Sequence, residues 1–91
     1  MVELSVNQIL KEAVQAHNSG NIAEAERLYK AVLTAQPQNP DADHNLGVLA
    51  ISAGKTESSL PLFQTALKSK PSEVQFWFSY INALIKAEKL R

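Results

Sequence analysis

Gly20-Asn-Ile-Ala-Glu-Ala-Glu-Arg-Leu-Tyr-Lys-Ala-Val-Leu-Thr-Ala-Gln-Pro37 is the stretch that decides how this chain folds, because its landmarks return 34 residues later. Gly20 recurs as Gly54, Leu28-Tyr29 as Leu62-Phe63, Leu33 as Leu67 and Pro37 as Pro71. Outside the stretch, Val14 recurs as Val48 at the same spacing. A fixed period of this size marks stacked supersecondary units, none of which can bury its apolar face alone.

Within each period the local signals spell helix, turn, helix. Ser5 followed by Gln8 has the spacing of a capping box, so a first helix should run from about Val6 to Asn18 and stop at Gly20. Asn21 with Glu24 should cap a second, whose apolar positions Ala25, Leu28, Val32 and Ala35 recur at three and four residues. Pro37 forbids its continuation. Asn39-Pro40 reads as an N-cap followed by proline at the first helical position, opening a third helix that ends before Gly54. Thr56 should start the fourth, although Pro61 then falls inside it. Either that helix starts late, near Ser58, or it bends in its first turn. Ser72 with Gln75 should cap a fifth helix running toward Glu88. No segment alternates like a strand, so the expected class is all-α.

Bulk composition narrows the chemistry. Nine Lys and Arg balance nine Asp and Glu among 91 residues. This speaks against a general attraction to nucleic acid or to an anionic membrane, each of which needs a basic face. Residues 1–54 carry a net charge of −3 and residues 55–91 one of +3, which we read as solvated faces, with head-to-tail stacking of like modules as the alternative. There is no cysteine, hence no disulfide or thiolate metal site. Met1-Val-Glu-Leu-Ser5 does not read as a signal peptide, and the longest apolar run, Val74 to Ile85, is broken by Gln75, Ser79 and Asn82 and is too short for a bilayer. A cytoplasmic location is the default expectation. His17 and His44 lie in different periods near opposite ends of their helices, roughly 10 Å apart along the axis, too far to share a metal. Glu24 and Glu26 point to different sides of one helix and make no acid–base pair. No glycine-rich phosphate loop occurs. No enzyme chemistry, metal or cofactor is expected.

With the period aligned, the sequence resembles the tetratricopeptide repeat family. Residues 40–73 show Leu46-Gly47, Gly54, Ser59, Phe63, Ala66 and Pro71 in that family's register. Residues 6–39 show Ala13, Gly20, Ala25, Tyr29, Val32 and Pro37, and residues 74–91 begin a third unit with Trp77 at the family's large position. The resemblance implies one domain over residues 1–91, with antiparallel helix pairs stacked as a right-handed α-solenoid of about five helices. Small residues at Ala13, Gly47, Ala25 and Ser59 should let paired helices approach, with the rings of Tyr29 and Phe63 filling the space beside them. Glu12 departs from the usual leucine, as suits a first helix with a polar outer face, and Ile81 departs from the usual small residue.

The resemblance also implies where a partner would lie, in a concave groove lined by the first helix of each pair. By register the groove positions are Asn7, Leu10, Val14 and His17 in the first unit. The second supplies Asp41, His44, Asn45, Val48 and Ile51, and the third supplies Gln75, Phe78, Ser79, Asn82 and Ile85. Such a lining suits an extended or helical peptide with one or two apolar anchors. Of the positions that grip chaperone C-terminal carboxylates in some members, only Asn45 corresponds. Leu10, Val14, Gln75 and Ser79 stand at the others, which speaks against that specialisation.

The last helix is apolar on almost every side, and Tyr80, Ile81 and Leu84 need a cover. A following helix of a longer protein would supply one; a homodimer through this helix would supply another. The expected function is therefore a non-catalytic protein- or peptide-binding module. Two alternatives stand beside it. One is self-assembly through the last helix. The other is the repeat front of a larger enzyme, since the segments Ala25–Leu33 and His44–Ala50 resemble repeat regions that precede transferase domains in bacterial proteins.

Overall fold

The computed structural model describes residues 5–89. The reading of the N-terminus as leaderless falls on Met1–Leu4, and the end of the third unit falls on Leu90 and Arg91; both lie outside the described residues. Five helices follow one another: α1 (Val6–Asn18), α2 (Ile22–Ala35), α3 (Pro40–Ser52), α4 (Thr56–Ser69) and α5 (Val74–Lys89). Among the described residues there is no strand, so the chain is all-α, and sequence-adjacent helices pack on one another as in a helical solenoid.

The 34-residue period is written into the turns. After α1, the Asn21 amide donates to Ala16 O at 2.9 Å and the Gly20 amide to His17 O at 3.1 Å. After α3, Lys55 donates to Ala50 O at 2.8 Å and Gly54 to Ile51 O at 3.0 Å. Both are the paired bonds of a glycine-terminated helix, which require the positive φ found at Gly20 (81°) and Gly54 (78°). The second helix of each pair ends alike too. Gln36 and Lys70, each preceding a proline, share a non-helical backbone with φ of −136° and −135°, because proline disfavours the helical conformation in the residue before it.

Two local expectations need correction, and one open choice is decided. Asn21 occupies the N-cap of α2 but its side chain makes no capping bond; Glu24 is bound instead to Arg27 at 2.7 and 2.8 Å. Helix α5 begins at Val74, so Glu73, not Ser72, stands directly before it, and the Glu73 carbonyl accepts from the Phe76 and Trp77 amides. Helix α4 begins at Thr56, as expected, with Pro61 inside it, which excludes the late start near Ser58. The caps at Ser5 and Asn39 do form: Ser5 Oγ accepts from the Gln8 amide at 3.1 Å and Asn39 Oδ1 from Ala42 at 3.0 Å.

The core follows the register. Ala13, Ala25, Tyr29, Leu46 and Leu49 form one buried cluster that joins the first helix pair to α3. Ala66, Leu67 and Phe76 form a second, with Tyr80 packed against it, joining α4 to α5. Tyr29, Phe63, Val32 and Ser59 are fully buried. Ser59 keeps its hydroxyl satisfied by donating to Thr56 O at 2.6 Å, which is why a polar residue is tolerated at a position where two helices meet. Ala35 is exposed, and Tyr29 completes the buried stripe of α2.

Candidate functional site

Helix α3 packs against both α1 and α5, so the odd-numbered helices lie side by side. Between α3 and α5 opens a groove of about 380 Å³ lined by Val48, Ile51 and Ser52 on one wall and by Ser79, Asn82, Ile85, Lys86 and Lys89 on the other. Val48, Ile51 and Ile85 supply apolar contact, Ser52, Ser79 and Asn82 supply hydrogen-bonding groups, and the two lysines place positive charge at the C-terminal end of α5. A second hollow of about 420 Å³ continues past Ile51 to Gly54, Thr56 and the same lysines. Asp41 and Glu73 stand at the other end, close enough to favour a protonated His44.

Of the groove residues expected from register, Val48, Ile51, Ser79, Asn82 and Ile85 meet in this groove. Leu10 and Val14 instead pack, half-buried, against the first core cluster. Phe78 is 61% exposed on α5 and is not among the groove's lining residues.

His17, Asn45 and His44 belong to an internal chain of polar side chains. Ser79 Oγ lies 2.7 Å from His44 Nε2, and His44 Nδ1 lies 3.2 Å from Asn45 Oδ1. Asn45 hydrogen-bonds the Tyr29 hydroxyl, which lies 3.2 Å from His17 Nδ1. One set of directions satisfies every member. The Ser79 hydroxyl donates to His44 Nε2, His44 Nδ1–H donates to Asn45 Oδ1, and the Asn45 amide donates to Tyr29 Oη. Tyr29 O–H then donates to His17 Nδ1. This network ties α1, α2, α3 and α5 together through neutral groups. Burial pushes the Tyr29 hydroxyl above and the His44 imidazole below their ordinary pKa values, which keeps both uncharged near neutral pH. His44 is only 7% exposed, stacked on Phe76 at 4.6 Å and tilted against Phe63 at 5.6 Å. It is a packing and bridging residue between α3 and α5, with little surface to offer a ligand.

On the expected assembly surface, Ile81 and Leu84 are exposed. Tyr80 is half-buried and turned toward α4, its hydroxyl accepting from Gln64 Nε2 at 2.8 Å. No helix of the described residues is long and apolar enough to cross a membrane, and no group of three or more His, Cys, Asp or Glu among them could hold a metal ion.

Two features went unremarked in the sequence. Ser52, Lys86 and Lys89 line the groove, each one helical turn beyond a residue already assigned to it: Val48, Asn82 and Ile85. Asp43 is 3% exposed, its Oδ2 makes no hydrogen bond, and burial raises its pKa from 3.8 to about 6. The period held the signal, since Asp43 stands 34 residues before Trp77, at the position where a large apolar side chain is the rule.

A family profile described as Tetratricopeptide repeat matches residues 16–77. No curated protein matches the chain. The profile spans both glycine turns and both proline stops of the 34-residue period. Its agreement with the five packed helices makes this chain a member of the tetratricopeptide repeat family.

Proposed function

We propose that this chain is a non-catalytic interaction module that holds a segment of another protein in the groove between α3 and α5. The family's repeats commonly serve as protein-interaction scaffolds, and one observation carries the reading to a place. The groove is open and unfilled by the chain's own side chains. Three apolar residues, three hydrogen-bonding residues and two lysines converge on it from two helices. An apolar floor with a few placed polar groups is what a short segment with one apolar anchor needs. Its length fits as well: the α5 wall from Ser79 to Lys89 spans roughly 15 Å at 1.5 Å per residue, enough for about five residues of extended chain.

The test is selection of binding peptides from a displayed random library, followed by titration against the parent chain and two groove variants. Ile51→Asp and Asn82→Lys should each weaken a selected peptide at least about tenfold, the loss of one central contact. Circular dichroism confirms that each variant is folded. Peptides that bind both variants as tightly as the parent place the binding surface elsewhere and refute the reading.

A further inference from the structure

We infer that the segment held between α3 and α5 carries an acidic side chain, Asp or Glu, about two residues from its apolar anchor, and that Lys86, Lys89 and the start of α4 receive it. This rests on the groove reading and adds the partner's chemistry to it. Lys86 and Lys89 stand one turn apart on α5, both exposed, and both line the groove and the hollow that continues it past Ile51. Neither makes an ion pair among the described residues. Two ammonium groups held on one wall without a counter-charge repel each other, and an anion between them relieves that repulsion. The acidic neighbours in sequence do not supply it, since Glu57 on α4 and Glu88 on α5 line neither hollow.

The facing wall points to the same ligand independently. Thr56 lines the hollow and is only 5% exposed, yet its hydroxyl makes no hydrogen bond among the described residues. Nor is that hydroxyl sealed from solvent, because among the described residues Asp43 Oδ2 alone is both sealed and unbonded. Its open side therefore faces the hollow. Lys55 precedes α4 and gives it no side-chain cap, so the first-turn amides keep their partial positive charge beside Gly54 and Thr56. Two lysines, a hydroxyl donor and an uncapped helix start make a receptor for one carboxylate.

Position follows from the spacing. Lys89 lies one turn beyond Ile85, roughly 6 Å along α5, which is about two residues of extended chain, and side chains two apart on such a chain point the same way. At the other end Asp41 and Glu73 repel an acid. The hollow runs on past Ile51 to Gly54, so the chain can continue through it and the acid is a side chain, not a C-terminus. Lys86 is two turns beyond Ser79, so this receptor is separate from the carboxylate-gripping positions held here by Leu10, Val14, Gln75 and Ser79.

Peptides selected from the random library test the inference. They should be enriched in Asp or Glu two residues from an apolar anchor. Lys86→Ala with Lys89→Ala, exposed changes that should leave the circular dichroism spectrum intact, should weaken an acidic peptide about 3–30-fold, and raising salt from about 20 mM to about 0.5 M should weaken it comparably. The same peptide with glutamine in place of the acid should bind more weakly and lose both sensitivities. Lys86→Glu with Lys89→Glu should reverse the preference, toward a peptide with lysine there. Peptides lost on Ile51→Asp but indifferent to the lysines and to salt overturn this inference and leave the groove reading standing. Peptides indifferent to Ile51→Asp and Asn82→Lys overturn both. Binding that survives the glutamine change but is lost when the peptide's C-terminus is amidated also overturns it, because the anion would then be a chain end.

Discussion

Replacing Gly47 by alanine isolates the contact on which the second helix pair is built. A methyl group added at Gly47 would lie 2.6 Å from Phe63 Cε1 and 2.9 Å from Cζ, about 1 Å inside the ordinary carbon–carbon contact of 3.5–4.0 Å. Phe63 is fully buried and leans on His44, so its ring has nowhere to turn without displacing α3 from α4. Two effects oppose one another. Alanine within a helix is about 1 kcal/mol better than glycine, whereas forcing a methyl into a filled core costs about 1–3 kcal/mol, more when the neighbour is rigid. We expect the clash to win, with a net loss of about 1–2 kcal/mol and a fall in Tm of roughly 5–10 °C for a domain of this size. Thermal and urea unfolding followed by circular dichroism measures it, and the cycle with Phe63→Leu isolates the cause. With the ring edge gone, the same Gly47→Ala change should become neutral or stabilising, a coupling of at least about 1 kcal/mol. The first pair carries Ala13 opposite Tyr29 at the same register, so a methyl is accommodated there and the effect belongs to the second pair alone. A Gly47→Ala chain as stable as the parent, or more so, would refute the close-approach argument.

Three further outcomes follow from the same structure. Asp43 has its folded pKa raised to about 6 from 3.8, so the folded state holds its proton more tightly. Its contribution is fully present below about pH 4 and lost as pH rises through about 6. Asp43→Asn should therefore gain stability over the parent as pH is raised from about 4 to 7, by about 1–3 kcal/mol at the upper end. Taking that difference removes most of the opposite contribution of His44, whose lowered pKa costs stability as pH falls. A flat difference across that range in urea titrations would contradict the burial of an ionising carboxyl. Ser79→Ala deletes the donor to His44 Nε2 and should cost about 1 kcal/mol, with the His44 ring resonances shifting in NMR; unchanged resonances would mean that bond is not made. Pro61 supplies no amide within α4, so Pro61→Ala should raise stability by about 1–3 kcal/mol, and a loss would show that the proline ring is needed where it packs near Trp77.

The sequence made legible whatever the period controls. Gly20 and Gly54, Pro37 and Pro71 set the turns, and the ends of α1 and α3 fall where those residues require. Less legible was what side chains do at helix starts. Asn21 had the right identity for a cap, but its backbone, at φ −84° and ψ 75°, does not carry the side chain to the amides, and Glu24 found Arg27 instead. The groove was half legible for a related reason. Register assigns positions to a face but cannot say which of them that face keeps open. Val48, Ile51, Asn82 and Ile85 share the groove. His44 occupies an equally plausible position, yet it is closed off because Phe76 arrives from α5, 32 residues away, and stacks on it. Asp43 was missed because a charged residue in a helix's first turn reads as a favourable interaction with the helix dipole. Only the packing shows that its Oδ2 has no partner.

The central claim is that the face between α3 and α5 binds a protein segment, and backbone amide shift mapping with a selected peptide tests it most directly. The account predicts that the perturbed amides cluster at Val48, Ile51, Ser79, Asn82 and Ile85, on the two walls of the groove, while those of α2 stay still. Perturbations confined to α2 and α4, with the groove amides unmoved at saturation, would contradict it.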